Sequence, residues 1–208
     1  MHRRTALSVS AVLLAAAPLL TACSGQARPG TAALVGGERI TTSALQARVD
    51  DVRGEQRRAD PSGQLVAGSG RLEGVQLGRM IQVRIVDRLA KDAGVSASTK
   101  EVEDARRAAT AETGSPGRLI QGMLQLKVPV APDGIDEYFR YQILLGKLTQ
   151  KYGEAGLTER AQALAEKLDI TVNPRYGEWK PQEIGIRYGE TPWISQRSVP
   201  QDQQPPRA

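Results

Sequence analysis

The sequence predicts a mainly α-helical domain of about six helices, with a small sheet formed by an N-terminal hairpin and one C-terminal strand. Three observations carry this. Apolar residues recur at intervals of three and four through most of the stretch from Thr41 to Leu168, the spacing of one helix face. Capping residues and Gly or Pro stops divide that stretch into segments of helical length. Short strand-like segments stand at its two ends.

Ala33-Leu34-Val35 and Glu38-Arg39-Ile40 flank Gly36-Gly37, the pattern of two very short strands joined by a two-residue turn. Thr41 or Thr42 is placed to cap a first helix carrying Leu45, Val49 and Val52, which Asp60-Pro61-Ser62-Gly63 ends. A second helix runs from about Leu72 to Ala93, with Leu77, Ile81, Ile85 and Leu89 in register and Gly94 as its stop. Ser98-Thr99-Lys100-Glu101 has the Ser-x-x-Glu form of a capping box and opens a third helix toward Thr113.

After Gly114-Ser115-Pro116-Gly117, the residues Leu119, Ile120, Met123, Leu124 and Leu126 make a fourth helix, stopped near Pro129. Asp133 to about Tyr152 is a fifth, and Thr158 is expected to cap a sixth that carries Ala161, Leu164, Ala165 and Leu168. Ile170-Thr171-Val172-Asn173 reads as a last short strand, ended by Pro174. A lone strand needs a partner, so residues near Val172 are expected to pair with the hairpin near Val35.

Before this domain, residues 1–22 have the three-part layout of a secretory signal: Arg3-Arg4, an uncharged run from Thr5 to Leu20, then small residues. The run is broken by Pro18 and falls short of the about 20 apolar residues that span a bilayer. Arg3-Arg4 is compatible with twin-arginine export and with the general route. Leu20-Thr21-Ala22-Cys23 resembles the lipobox of bacterial lipoproteins. That resemblance implies cleavage before Cys23, a diacylglyceryl group on its sulfur and acylation of the new amino terminus. It places the chain on the extracytoplasmic face of the cell membrane, and two or more chains anchor firmly where one holds only marginally. Cys23 is the only cysteine, so no disulfide staples the domain.

Residues 23–31 are small and polar around Pro29-Gly30 and are expected to be a flexible tether. The folded domain is expected over 32–186, with 187–208, rich in Pro and Gln, as a disordered tail. Removing Arg3 and Arg4 with the signal leaves 26 basic against 23 acidic side chains, a net charge of +3. That is too mild to attract nucleic acid.

Three stretches resemble one family. Val35-Gly36-Gly37-Glu38-Arg39-Ile40-Thr41-Thr42-Ser43-Ala44-Leu45 resembles the opening of SurA N-terminal domains, shared with PrsA-type foldase lipoproteins. The segment from Ile85 to Val95, with Ser98, Glu101 and Val102, is similar to that family's passage from a long helix into a capped one. Val172-Asn173-Pro174-Arg175-Tyr176-Gly177-Glu178-Trp179 is similar to its return to the small sheet. Ala44 stands where the family has an acidic residue, which removes the reciprocal bond of a capping box, and Gly36 stands where it has Asn. The resemblance implies a SurA/trigger-factor-like chaperone fold. It also marks an absence: the parvulin isomerase domain of those proteins has no counterpart between the fifth and sixth helices.

The residues offer little for catalysis. The one histidine, His2, leaves with the signal, so the mature chain lacks the usual neutral-pH acid-base group and His- or Cys-based metal ligands. Asp50-Asp51 and Glu101-x-Glu103-Asp104 are best read as solvated helix faces. Gly70, Gly74 and Gly78, four apart, permit a close approach, whether by a partner or by the domain itself. There is no phosphate-cradling loop and no nucleophile elbow. All eight aromatics lie in the C-terminal half, and two of them, Tyr188 and Trp193, fall in the expected tail. These two either anchor a partner or pack back on the domain.

The expectation is therefore a membrane-tethered, non-catalytic protein that binds unfolded or newly exported polypeptides. It needs no nucleotide and no cofactor beyond the lipid on Cys23. The alternative is an adaptor or structural lipoprotein that holds one envelope partner through its tail, and prolyl isomerase activity is not expected.

Overall fold

The computed structural model describes residues 29–188, and in it the two ends of the domain meet in one sheet. The signal, the lipobox with Cys23, and Trp193 lie outside the described residues. Strands β1 (Thr31–Val35) and β2 (Glu38–Thr41) form the expected hairpin, with Gly36 and Gly37 both at positive φ. Two residues that must each turn left-handed explain why the turn is Gly-Gly. Strand β3 (Thr171–Val172) pairs antiparallel with β1, Ala33 opposite Val172 and Leu34 opposite Thr171, so the sheet order is β2-β1-β3. Asn173 binds this junction twice, its N–H donating to the Ala32 carbonyl (2.8 Å) and its side-chain amide to that of Thr31 (3.2 Å). Thr31 already belongs to β1 and is 2% exposed, so the fold begins one residue earlier than the sequence suggests.

Helix α1 (Thr42–Ala59) starts at Thr41, whose hydroxyl accepts from the Ala44 N–H, and its first turn holds no acidic residue to reciprocate. A single turn that the periodicity does not announce, α2 (Gln64–Ala67), follows the break. Helix α3 (Leu72–Asp92) buries Leu77, Ile81, Ile85 and Leu89, the spaced residues that identify it in the sequence. Helix α4 (Thr99–Thr113) has the full capping box at Ser98 and Glu101. Glu101 also accepts from Lys147 in the last helix, and these bonds hold its carboxyl down at about 2. Helix α5 (Pro116–Gln125) begins with Ser115 as cap and proline in its first turn.

Helix α6 (Ile135–Lys167) is two helical segments that meet at a kink, which agrees with the expected end of the fifth helix near Tyr152 and corrects the expected start of the sixth. Thr158 is not a cap: it lies within the helix and its hydroxyl donates to the Glu154 carbonyl four residues back. The interruption is at Gly153, with φ 70° and ψ 166°, and the helix resumes at once. A single glycine that tolerates positive φ makes the bend without a loop, so the second segment starts five residues before Thr158 and not at it.

The core is one cluster in which α3 packs along α6, with Leu77, Ile81, Leu144 and Leu148 almost wholly buried between them. The sheet closes one end through Ala32, Ala33, Val35 and Ile40. Two further strands, β4 (Glu178–Lys180) and β5 (Gly185–Arg187), form a hairpin of their own that the sequence reading leaves out, carrying the fold one residue past its expected end. Among the described residues no helix is long and apolar enough to cross a membrane.

Candidate functional site

The glycines at the start of α3 have an internal purpose. Gly74 and Gly78 are buried, and the β4–β5 hairpin lies over them. A Cβ on Gly74 would fall 2.4 Å from the Tyr188 hydroxyl oxygen, and one on Gly78 would meet Ile186 at 3.9 Å. The Gln82 side chain donates to the Ile184 carbonyl (2.9 Å) and Gln162 of α6 to that of Gln182 (2.7 Å), which fasten the hairpin to the helices. Tyr188, one of the two expected tail anchors, is therefore half-buried against α3, with the Arg71 guanidinium 4.8 Å from its ring centroid. Burial raises its phenol pKa above the ordinary value. Tyr176 and Trp179 are core residues, 3% and 8% exposed.

Two grooves adjoin at Gly70 and Arg71. The first, about 930 Å³, lies between the free edge of β3, the hairpin and Tyr188. The second, about 860 Å³, lies between the end of α1, the α2 turn, the start of α3 and the end of α5. Ala59, Leu65, Leu72, Val75, Leu124 and Pro129 make its apolar lining, and Asp60, Gln64, Arg71 and Lys127 its polar rim. An apolar floor with a few polar groups at the edge is the usual composition of a binding cleft.

Local chemistry holds this second groove open. Asp60 ends α1, and its carboxylate accepts from the Ser62 hydroxyl and from the backbone N–H groups of Leu65 (2.8 Å) and Ser62 (3.0 Å), bonds that keep it below the usual range. Arg53 reaches across from α1 and donates to the carbonyls of Val66 (3.0 Å) and Ser69 (2.8 Å) and to the Ser69 hydroxyl (2.6 Å). Gln56, 4% exposed, also donates to that hydroxyl (3.0 Å). The loop from Val66 to Ser69 is thus clamped to α1 instead of folding down into the groove.

On the opposite wall, α5 ends with Lys127 at φ 60°, while the Val128 N–H donates to the Met123 carbonyl (2.8 Å). A left-handed lysine where glycine is the easy choice costs about 1–2 kcal/mol. That turn brings Val128 back to the helix end, while Leu126 is 79% exposed and stands between Gln125 and Lys127, two residues that line the groove. Val75, 44% exposed, stands on the α3 side. Among the described residues these two are the exposed large hydrophobic side chains.

The strongest electrostatics lie elsewhere. Arg48 pairs with Glu137 through two 2.6 Å bonds beside a cavity of about 200 Å³. Arg79 stacks over Tyr138 (4.9 Å) and Tyr141 (5.6 Å), and burial lowers the pKa of this guanidinium. Glu137 is held ionised by Arg48, which makes it a poor proton acceptor, so this cluster ties α1 and α3 to α6. Asp50 and Asp51 are exposed, and Asp104 is paired with Lys100 and Arg107. Among the described residues no three acidic, His or Cys side chains group as a metal site.

The structure thus brings Tyr188 to the first groove, beneath Arg71, which lines both, and it contains neither Leu20, Thr21, Ala22 and Cys23 nor Trp193 among its described residues. Sequence reasoning misses Leu126 and Val75 as surface residues because both sit in apolar helical patterns that resemble core. The positive φ at Lys127, which ends α5 beside the groove, has no sequence signature. The chain matches no protein-family model, no curated protein and no solved structure.

Proposed function

We propose that this chain is a lipid-anchored, extracytoplasmic protein that binds unfolded or newly exported polypeptides in the groove between α1, α3 and α5, without catalysis, nucleotide or cofactor. The observation that carries the reading is an apolar groove of about 860 Å³ lined by the exposed Val75, with the exposed Leu126 standing between two further lining residues, Gln125 and Lys127. Exposed apolar surface beside a concave site marks a place where apolar partners bind. A fully seated leucine-sized side chain gains about 1.5–3 kcal/mol. Two or three such seats roughly offset the association cost of about 4 kcal/mol or more, which gives the weak, reversible hold a client needs in order to be released.

The resemblance of the three quoted stretches to SurA and PrsA-type chaperones supports the same reading, and so does the lipobox-like Leu20-Thr21-Ala22-Cys23. A lipid on Cys23 would keep the domain close to the membrane. Seven residues stand between it and Thr31 in β1, a reach of at most about 30 Å. Unfolded chains would then meet the groove as they emerge from the export machinery.

The test is suppression of aggregation of a chemically denatured protein by the mature chain. The expected result is protection at a few-fold molar excess, reduced at least several-fold by Val75→Glu together with Leu126→Lys. Both sites are solvent-facing, so these changes should alter stability by no more than about 1 kcal/mol. Unchanged protection by the double variant would move the client site elsewhere.

A further inference from the structure

We infer that the second groove has an occupant within this chain: the segment 189–208, which seats Trp193 and Ile194 against Leu65, Val75 and Leu124 and competes there with clients. The inference extends the reading above from the site to its regulation and rests on that reading for the word client.

The path of the chain carries the argument. Tyr188, the last described residue, is fixed beside Gly74 and under Arg71. Arg71 and Gly70 line both grooves, and Val75, the neighbour of Gly74, lines the second. The chain therefore leaves the fold in the first groove, beside the two residues that it shares with the second. Beyond that point the large apolar side chains are Trp193, Ile194 and Val199, all others being polar or small residues and prolines. Trp193 is five residues past Tyr188, a reach of up to about 17 Å, enough to cross from Gly74 into the neighbouring groove. A covalently attached ligand works at an effective concentration in the millimolar range for a short linker. An aromatic anchor that is too weak to bind as a free peptide is thereby sufficient to cover the groove, and a longer apolar client displaces it.

The experiment uses the mature chain with Cys23→Ser, which removes the only thiol and the lipid, and a nitroxide attached through Ser198→Cys. Methyl NMR of this protein is expected to show strong paramagnetic broadening at Leu65, Val75 and Leu124 and none at Leu144 or Leu148. Trp193→Ser with Ile194→Ser should abolish the broadening and tighten binding of an apolar probe peptide by at least several-fold. Absence of broadening at the groove methyls overturns the inference. So does broadening that arises only between differently labelled molecules, which would assign the groove to a second copy. If the broadening is present but no unfolded polypeptide binds even after the tail substitution, the tail contact stands and the client reading falls. If clients bind with no tail contact, the reverse holds.

Discussion

Leu148→Ala is expected to lower stability by about 2–5 kcal/mol in urea denaturation with little change in m, whereas Leu126→Ala is expected to stay within about 0.5 kcal/mol. The two leucines differ in burial, not in type: Leu148 is 0% exposed and Leu126 is 79% exposed. Leu148 lies on α6 among the residues that pack against α3, including Leu77 and Ile81, which are also at 0%. Truncation there removes buried methyl groups and leaves a cavity that two long helices cannot easily close. A domain of this size has about 5–15 kcal/mol in hand, so the upper part of the range approaches unfolding. Equal losses at the two positions would mean that Leu126 is covered in solution.

Gly177→Ala is expected to cost about 2–5 kcal/mol, through backbone strain and a clash acting together. Gly177 has φ 116° and ψ −166°, a conformation essentially confined to glycine. An added Cβ would lie 2.6 Å from Ile186 Cγ2 and 2.7 Å from the Arg187 carbonyl oxygen. Neither neighbour can step aside freely, because Ile186 pairs with Trp179 across the β4–β5 hairpin and packs toward Gly78. The substitution should therefore detach the hairpin, release Tyr188 from Gly74 and shift Trp179 emission to the red, read in a Trp193→Phe background. Gly74→Ala gives a graded comparison, since it displaces the Tyr188 ring and leaves the hairpin backbone alone.

Much of the helical frame is legible in the sequence because its signals are local. Thr41 and Ser98 announce helix starts by the bonds their hydroxyls accept within three residues, and Gly36-Gly37 announces the turn by a conformation other residues avoid. The pairing of Val172 with Ala33 follows from a different logic, the need of a solitary strand for a partner. Where the reading fails, the deciding contact is distant or very short. The spacing of Gly70, Gly74 and Gly78 is plain in the sequence, but its occupants, Ile186 and Tyr188, lie over a hundred residues away. The β4–β5 hairpin rests on strands of three residues each, with a proline between them, too short to show an alternating pattern. The expected end near Tyr152 is met by the break at Gly153, whereas Thr158, a good capping type, lies inside the second segment and donates to a carbonyl instead.

The groove itself is the least legible part, since its walls come from segments near residues 60, 70 and 125 that only the packing of α1, α3 and α5 brings together. Asp60, Arg53 and Lys127 shape it through backbone bonds and a positive φ, features without a motif.

The measurement that bears most directly on the proposed activity places a photoreactive amino acid at Val75 in the mature chain. That protein is then irradiated with one polypeptide in two forms, folded and permanently unfolded by reduction and carboxymethylation. Client binding in the groove predicts efficient crosslinking to the unfolded form, little to the folded one, and loss of the product with Leu126→Lys. Equal crosslinking to both forms, or none to either, would contradict it.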